Sequence, residues 1–154
     1  MKIGIKKVHE NEWLVHIGYA TIRMDRFSVE LLNIALEHLI ALEHGQVHST
    51  LQSYIKLGSR IKELDESSIQ KLMHEVDNQD LLKLMLVVQD EALNDIILRN
   101  VGGILAKQLK TDLANPTMPD NTSAKIAIQR IVEKMFDLES QGKIEFFNQN
   151  TQYI

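Results

Sequence analysis

Hydrophobic and polar positions alternate over the first 24 residues, and then the period changes. Ile3, Ile5 and Val8 are interleaved with Lys2, Lys6 and Lys7. A polar turn, His9-Glu10-Asn11-Glu12, leads to the β-favouring run Trp13-Leu14-Val15-His16-Ile17. Gly18 interrupts it, and Thr21-Ile22-Arg23-Met24 resumes. Short runs bounded by turn residues predict two or three antiparallel strands. Strands this short are marginal alone and need a helix over one face.

The period lengthens from Phe27 onward. Leu31, Ala35, Leu39 and Leu42 form one stripe, and Leu32, Leu36 and Ile40 form a second. Recurrence every three or four residues predicts a helix, and the width of the apolar surface predicts burial on two sides. Asp25 or Ser28 is placed to cap its start, and Gly45 to end it. One side is expected on the strands. The other is expected against the C-terminal helices or a second copy of the chain, which makes Leu32, Leu36 and Ile40 a candidate homodimer surface. A second helix is predicted over Val47 to Leu64, on the pattern Val47, Leu51, Tyr54, Ile55, Gly58, Ile61.

Shorter helices follow, each behind a residue with a side-chain oxygen: Asp65, Asp77 with Asn78, Asp90, and Asn100. Such oxygens accept the free N–H groups of a helix start, and extra acids there suit the helix dipole. Asn115-Pro116-Thr117-Met118-Pro119-Asp120-Asn121 reads as a loop. Ser123 is expected to open a last helix with Ile128, Ile131, Met135 and Leu138 on one face, and Gly142 to stop it. A short extended piece is expected over Lys143 to Phe147. The predicted fold is mainly α: a C-terminal bundle of short helices preceded by a small β-meander plus two helices. Its divisions are a small αβ unit over 1–63, a helical domain over 64–147 and a tail over 148–154.

Composition narrows the function. The chain has 154 residues, 44% hydrophobic and 25% charged, near globular averages. The absence of cysteine excludes disulfides, thiolate metal sites and cysteine nucleophiles. A net charge of −4 and scattered lysines argue against nucleic-acid binding. The apolar region Phe27 to Leu42 is broken by Glu30, Asn33, Glu37 and His38, short of the roughly 20 apolar residues a membrane span needs. With no leader pattern after Met1, a cytoplasmic chain without membrane insertion is expected.

Histidine is the main source of candidate chemistry. His44 and His48 are four apart and lie near His38, spacing a metal can use on one helix face. Gly45 between them breaks that helix, and the His-Glu-x-x-His pattern is missing. Solvated imidazoles near two helix ends are the preferred explanation of the cluster; His38, His44 and His48 are the only metal candidates, and neither a metal nor a cofactor is expected. No Gly-x-Ser-x-Gly or phosphate-binding glycine loop occurs. Gly102-Gly103 sits at a helix start, where an anion could bind; close packing or chain flexibility explains the pair as well. The acid pairs Asp65/Glu66 and Asp90/Glu91 are accounted for by capping. Nothing asks for an enzyme.

The second half resembles a known family. Leu64-Asp65-Glu66-Ser67-Ser68-Ile69-Gln70-Lys71-Leu72-Met73-His74-Glu75-Val76-Asp77, Asn78-Gln79-Asp80-Leu81-Leu82, Leu98-Arg99-Asn100, Leu109-Lys110-Thr111-Asp112-Leu113 and the stretch Leu138 to Ile144 resemble the C-terminal, stator-facing helical domain of the flagellar motor switch protein FliG. The resemblance runs from Leu64 to roughly Phe146. It implies a helical fold, no catalysis, and a protein partner in the stator or rotor. In the family a charged ridge on one helix meets opposite charges on the stator protein. Charges of this kind steer and register a transient contact. Carried over, the ridge's first basic position falls at Leu86 or Val87 and the next at Ile104. Its acidic pair becomes Thr111 and Asp112, and its last basic position falls at Asp120. Most of the charge is therefore lost.

Helical spacing adds to this. Leu105, Leu109 and Leu113 recur at four-residue intervals and are expected to face the core, with Ile104 and Thr111 on a flank nearer the surface. The expected partner-binding residues are Ile104, Lys107, Thr111, Asp112 and Asp120. The expected function is a protein–protein interaction or assembly module, whose partner is either a motor stator or rotor protein or an unrelated assembly. A divergent motor component in motility and a histidine-based metal-binding protein are the alternatives.

Overall fold

The computed structural model describes residues 1–42 and 49–147. The element order is β1 (Ile3–His9), β2 (Glu12–Ile17), β3 (Ala20–Met24), α1 (Arg26–Leu42), α2 (Thr50–Gly58), a 3₁₀ turn (Ser59–Glu63), α3 (Glu66–Glu75), α4 (Asn78–Val88), α5 (Glu91–Asn100), α6 (Gly103–Ala114) and α7 (Asn121–Ser140). The mainly helical fold behind a three-stranded meander is thus as the sequence pattern predicts. The chain divides into two compact units, Met1–Ser53 and Tyr54–Ile154.

In the first unit the strands form an antiparallel sheet in the order β1-β2-β3. Ile3 lies opposite Ile17 and Ile5 opposite Val15; Val15 in turn faces Ile22, and Trp13 faces Met24. Side chains alternate between faces along a strand, so this register gathers Ile3, Ile5, Trp13, Val15, Ile17, Ile22 and Met24 on one face. Gly18 takes φ +61°, the left-handed conformation a tight hairpin requires. Helix α1 packs on β2, and Val15, Phe27 and Ile34 are buried. Of the two capping candidates, Asp25 caps α1, its Oδ1 accepting the Ser28 N–H at 2.8 Å. Leu32 is half-buried, while Leu36 keeps 51% of its surface in water. The Ile40 side chain and Gly45 lie outside the described residues.

The second helix is shorter than its apolar pattern predicts. It ends at Gly58 and tightens into the 3₁₀ turn. The Ser59 hydroxyl donates to the Ile55 carbonyl at 2.8 Å, a side-chain bond of the type that bends helices. Val47 lies outside the described residues. Asp65, Asp77 and Asp90 cap α3, α4 and α5 as expected, each accepting backbone N–H groups from the first turn. Asn100 does not open α6. It is the last residue of α5, its Nδ2 donating to the Ile96 carbonyl at 2.8 Å, and Gly102 stands at the α6 start instead. Likewise Asp120, not Ser123, caps α7, because its Oδ2 accepts the Ser123 N–H. Gly142 stops α7 at φ +69°, and Lys143 N–H returns to the Leu138 carbonyl at 2.9 Å.

Helix α7 supplies the centre of the second unit. Ala124, Ala127, Ile128, Ile131, Val132, Met135, Phe136 and Leu138 are buried. They meet α4 along most of its length and α3 to a lesser degree. Asp80 of α4, buried, pairs with Arg130 of α7 at 3.3 Å. After Gly142 the chain turns back. The Glu145 N–H donates to Ser68 Oγ, Phe147 N–H to the Glu63 carbonyl, and Leu64 and Phe146 form an antiparallel bridge. The Arg60 guanidinium lies 4.4 Å from the Phe146 ring centroid and 5.7 Å from that of Phe136, within cation–π range.

Two glycine positions differ in what surrounds them. A Cβ on Gly58 would lie 2.7 Å from Leu84 Cδ1 and 3.2 Å from Ile128 Cγ2, both in the core, whereas one on Gly103 would meet nothing within 4 Å. Gly58→Ala is therefore expected to lower stability by about 1–3 kcal/mol through overpacking. Gly103→Ala is expected to raise it by about 0.5–1 kcal/mol, the helical preference of alanine over glycine. Urea unfolding of the two variants checks both signs.

The caps also set an acid limit. The Ser68 hydroxyl and backbone N–H hold the Asp65 carboxyl below the usual carboxylate range. The Lys62 ammonium, 2.6 Å from Asp90 Oδ2, and the Leu93 N–H do the same for Asp90. A carboxyl whose pKa is lower folded than unfolded stabilises the fold above its unfolded value, about 3.9, and that stability is lost as pH falls through the folded value. Unfolding midpoints measured from pH 5 downward are expected to drop below about pH 4. Asp65→Asn with Asp90→Asn is expected to flatten that drop.

Candidate functional site: the outer face of α6

Among the described residues, helix α6 buries its inner side. It packs on α4 and α5. Leu109 is buried, and Leu105 and Leu113 are half-buried. This is the stripe that four-residue spacing predicts. At about 100° per residue, Ile104 and Thr111 stand about 20° apart on the opposite side. Both are exposed, Ile104 at 89%. Lys107, Gln108 and Lys110 are exposed beside them, while Asp112 is half-buried towards the inner side. The Thr111 hydroxyl donates to the Lys107 carbonyl at 3.0 Å, which turns its methyl group rather than its hydroxyl to the surroundings. The outer face therefore offers an isoleucine and a threonine methyl with two lysines along one side and Gln108 along the other.

The helix begins at Gly102, which has backbone angles −60° and 150° and makes no side-chain cap. A Cβ at Gly102 or Gly103 would meet nothing within 4 Å. Close packing is therefore not the reason for the glycine pair.

The structure brings four of the five expected contact residues together on α6: Ile104, Lys107, Thr111 and Asp112. Asp120 lies beyond the proline loop, where its carboxylate is occupied in capping α7. Leu86, the first carried-over ridge position, is buried within α4, and Val87 beside it is half-buried. A charge at Leu86 would have to be desolvated. Burial of this kind depends on partners distant in sequence, and spacing within α4 could not reveal it.

Other candidates carry less. His38 is half-buried on α1, and His44 and His48 lie outside the described residues. Among the described residues no group of three or more His, Asp or Glu is placed to hold a metal ion. A shallow depression of about 380 Å³ is lined by Asn11, Glu12, Arg23, Met24, Asp25 and Ser28. Its polar groups are already engaged. Glu12 pairs with Arg23 at 2.9 Å, Asn11 Oδ1 accepts from the Arg26 N–H, and Asp25 caps α1. Among the described residues no helix is long and apolar enough to cross a membrane.

Comparison with known families agrees with the helical order. Residues 40–146 match the family model of the FliG C-terminal domain. No curated protein and no solved structure matches the chain. The family match takes in α2 to α7 with the turn of chain after them, and leaves the sheet outside it. With residues 40–146 of its 154 so matched, the chain belongs to the FliG C-terminal domain family and carries a flagellar motor switch-like domain.

Proposed function

We propose that the chain is a non-catalytic protein–protein interaction module in which α6 meets its partner through a largely uncharged face. The observation that carries this reading is Ile104, 89% exposed at a position where the resemblance places a basic residue in the family. A charged ridge acts at a distance of about one Debye length, near 8 Å at physiological salt. An apolar face acts only on contact and is little affected by salt. Ile104 and the Thr111 methyl would form the centre of such a contact. Lys107, Lys110 and Asp112 would form its polar rim and set orientation more than affinity.

The second reading, favoured by the family match itself, is a divergent rotor component of the flagellar motor. The two readings share the surface and differ in the partner. Their common test is capture of a tagged copy from its cell of origin, followed by identification of the retained proteins. Ile104→Asp is expected to lose the partner that the wild type retains, and to change stability by no more than about 0.5 kcal/mol because the side chain is in water. Lys107→Glu with Lys110→Glu is expected to keep most of it. Loss on the lysine changes, with Ile104→Asp unaffected, would mean a charge-driven contact and would overturn the apolar reading. Motor proteins among those retained, with swimming lost on deletion of the gene, would select the rotor component. An unrelated assembly with unchanged swimming would select a reused domain.

A further inference from the structure

Strand β1 is the least covered element of the first unit. All seven of its residues are exposed. Ile3 and Ile5 keep 65% and 61% of their surface in water, although both lie on the apolar face of the sheet. Among the described residues β1 is also an edge strand, paired only with β2. The Gly18 N–H donates to the Lys2 carbonyl at 2.8 Å. Hydrogen-bonded and non-bonded pairs alternate along an antiparallel ladder. Gly4 and Lys6 therefore also bond inward to β2, and the N–H and C=O groups of Ile3, Ile5 and Lys7 point away from the sheet. An edge of this kind is a template for an added strand.

The charges decide what can fill it. Lys2, Lys6 and Lys7 surround the edge, and the strand contains no acid. Lys7 Nζ sits 5.6 Å from the Trp13 ring centroid on the apolar face. Lys6 projects to the opposite face, with Gly4 and Val8 as neighbours along the strand. A second copy of β1 would bring three lysines against three, and edge lysines are a common device against self-pairing. An acidic strand would be attracted instead. We infer that β1 is a docking edge for an extended peptide segment with apolar residues on one face, beside Ile3 and Ile5, and Asp or Glu on the other, beside Lys6 and Lys2. This surface lies outside the residues matched by the family and does not depend on the reading of α6.

The test uses the full chain and two synthetic peptides as long as β1, one alternating valine with glutamate and one alternating valine with lysine. The glutamate peptide is expected to bind and to slow hydrogen exchange at the Ile3, Ile5 and Lys7 amides, leaving Gly4 and Lys6 unchanged. Lys2→Glu with Lys6→Glu is expected to weaken that binding about tenfold, two cross-strand attractions becoming repulsions, and to admit the lysine peptide. Gain of the lysine peptide shows that the variant is folded. Equal binding of both peptides by the wild type would overturn the inference, as would binding without protection of those three amides. Protection that appears without peptide and grows with protein concentration would assign the edge to a second copy and would overturn it too.

Discussion

Burial of α7 against α4 is the contact on which the helical unit depends. Helix α7 buries eight side chains, and α4 contributes Leu81, Leu84 and Met85 to the same core. Apolar burial is the dominant favourable term in folding, and these two helices hold much of the unit's share of it. The smaller helices are placed by this pair. Gly58 fits because a hydrogen is all that the space between Leu84 and Ile128 admits. Helix α6 rests on α4 from the outside. The Asp80–Arg130 pair adds one polar link between the two helices. Its contribution to stability is small, since Arg130 is mostly in water and screened.

This arrangement explains why one part of the unit is suited to recognition. A helix buried on every side has no face left for a partner. α6 gives up a single stripe centred on Leu109 to the core and keeps the remainder in water. Substitutions on that remainder cost the fold little, so the face can change its chemistry while the scaffold under it stays constant. That independence leaves the face free to present Ile104 and Thr111 without cost to the helices beneath. The first unit reaches a similar result by another route, a sheet whose apolar face extends beyond the helix laid on it.

What could be read from sequence divides along the range of the forces involved. Asp65, Asp77 and Asp90 announce helix starts because a cap acts within three residues, and the strands announce themselves by alternation. The stripe of Leu105, Leu109 and Leu113, and the flank of Ile104 and Thr111 opposite it, were legible for the same reason. The start of α6 was not, because Gly102 carries no side chain to signal it and Asn100 next to it has the chemistry of a cap. The 3₁₀ turn after Gly58 and the burial of Leu86 were also hidden. The burial depends on residues far away in the chain, and the turn on the Ser59 hydroxyl reaching the Ile55 carbonyl, a bond that apolar spacing does not record.

The bridge between Leu64 and Phe146, backed by Arg60 against the two phenylalanine rings, joins the two ends of the run from α3 to α7. The two ends of that run therefore lie side by side, and α2 and the 3₁₀ turn before them are also seated in the core through Gly58 and Ile61. Pulling on the chain at both ends would load that bridge and the rings behind it together with α2, which is seated against Leu84 and Ile128 of the α4–α7 core. The unit therefore meets tension with its whole core, and the bridge acts as one part of that resistance and not as a hinge from which the rest hangs.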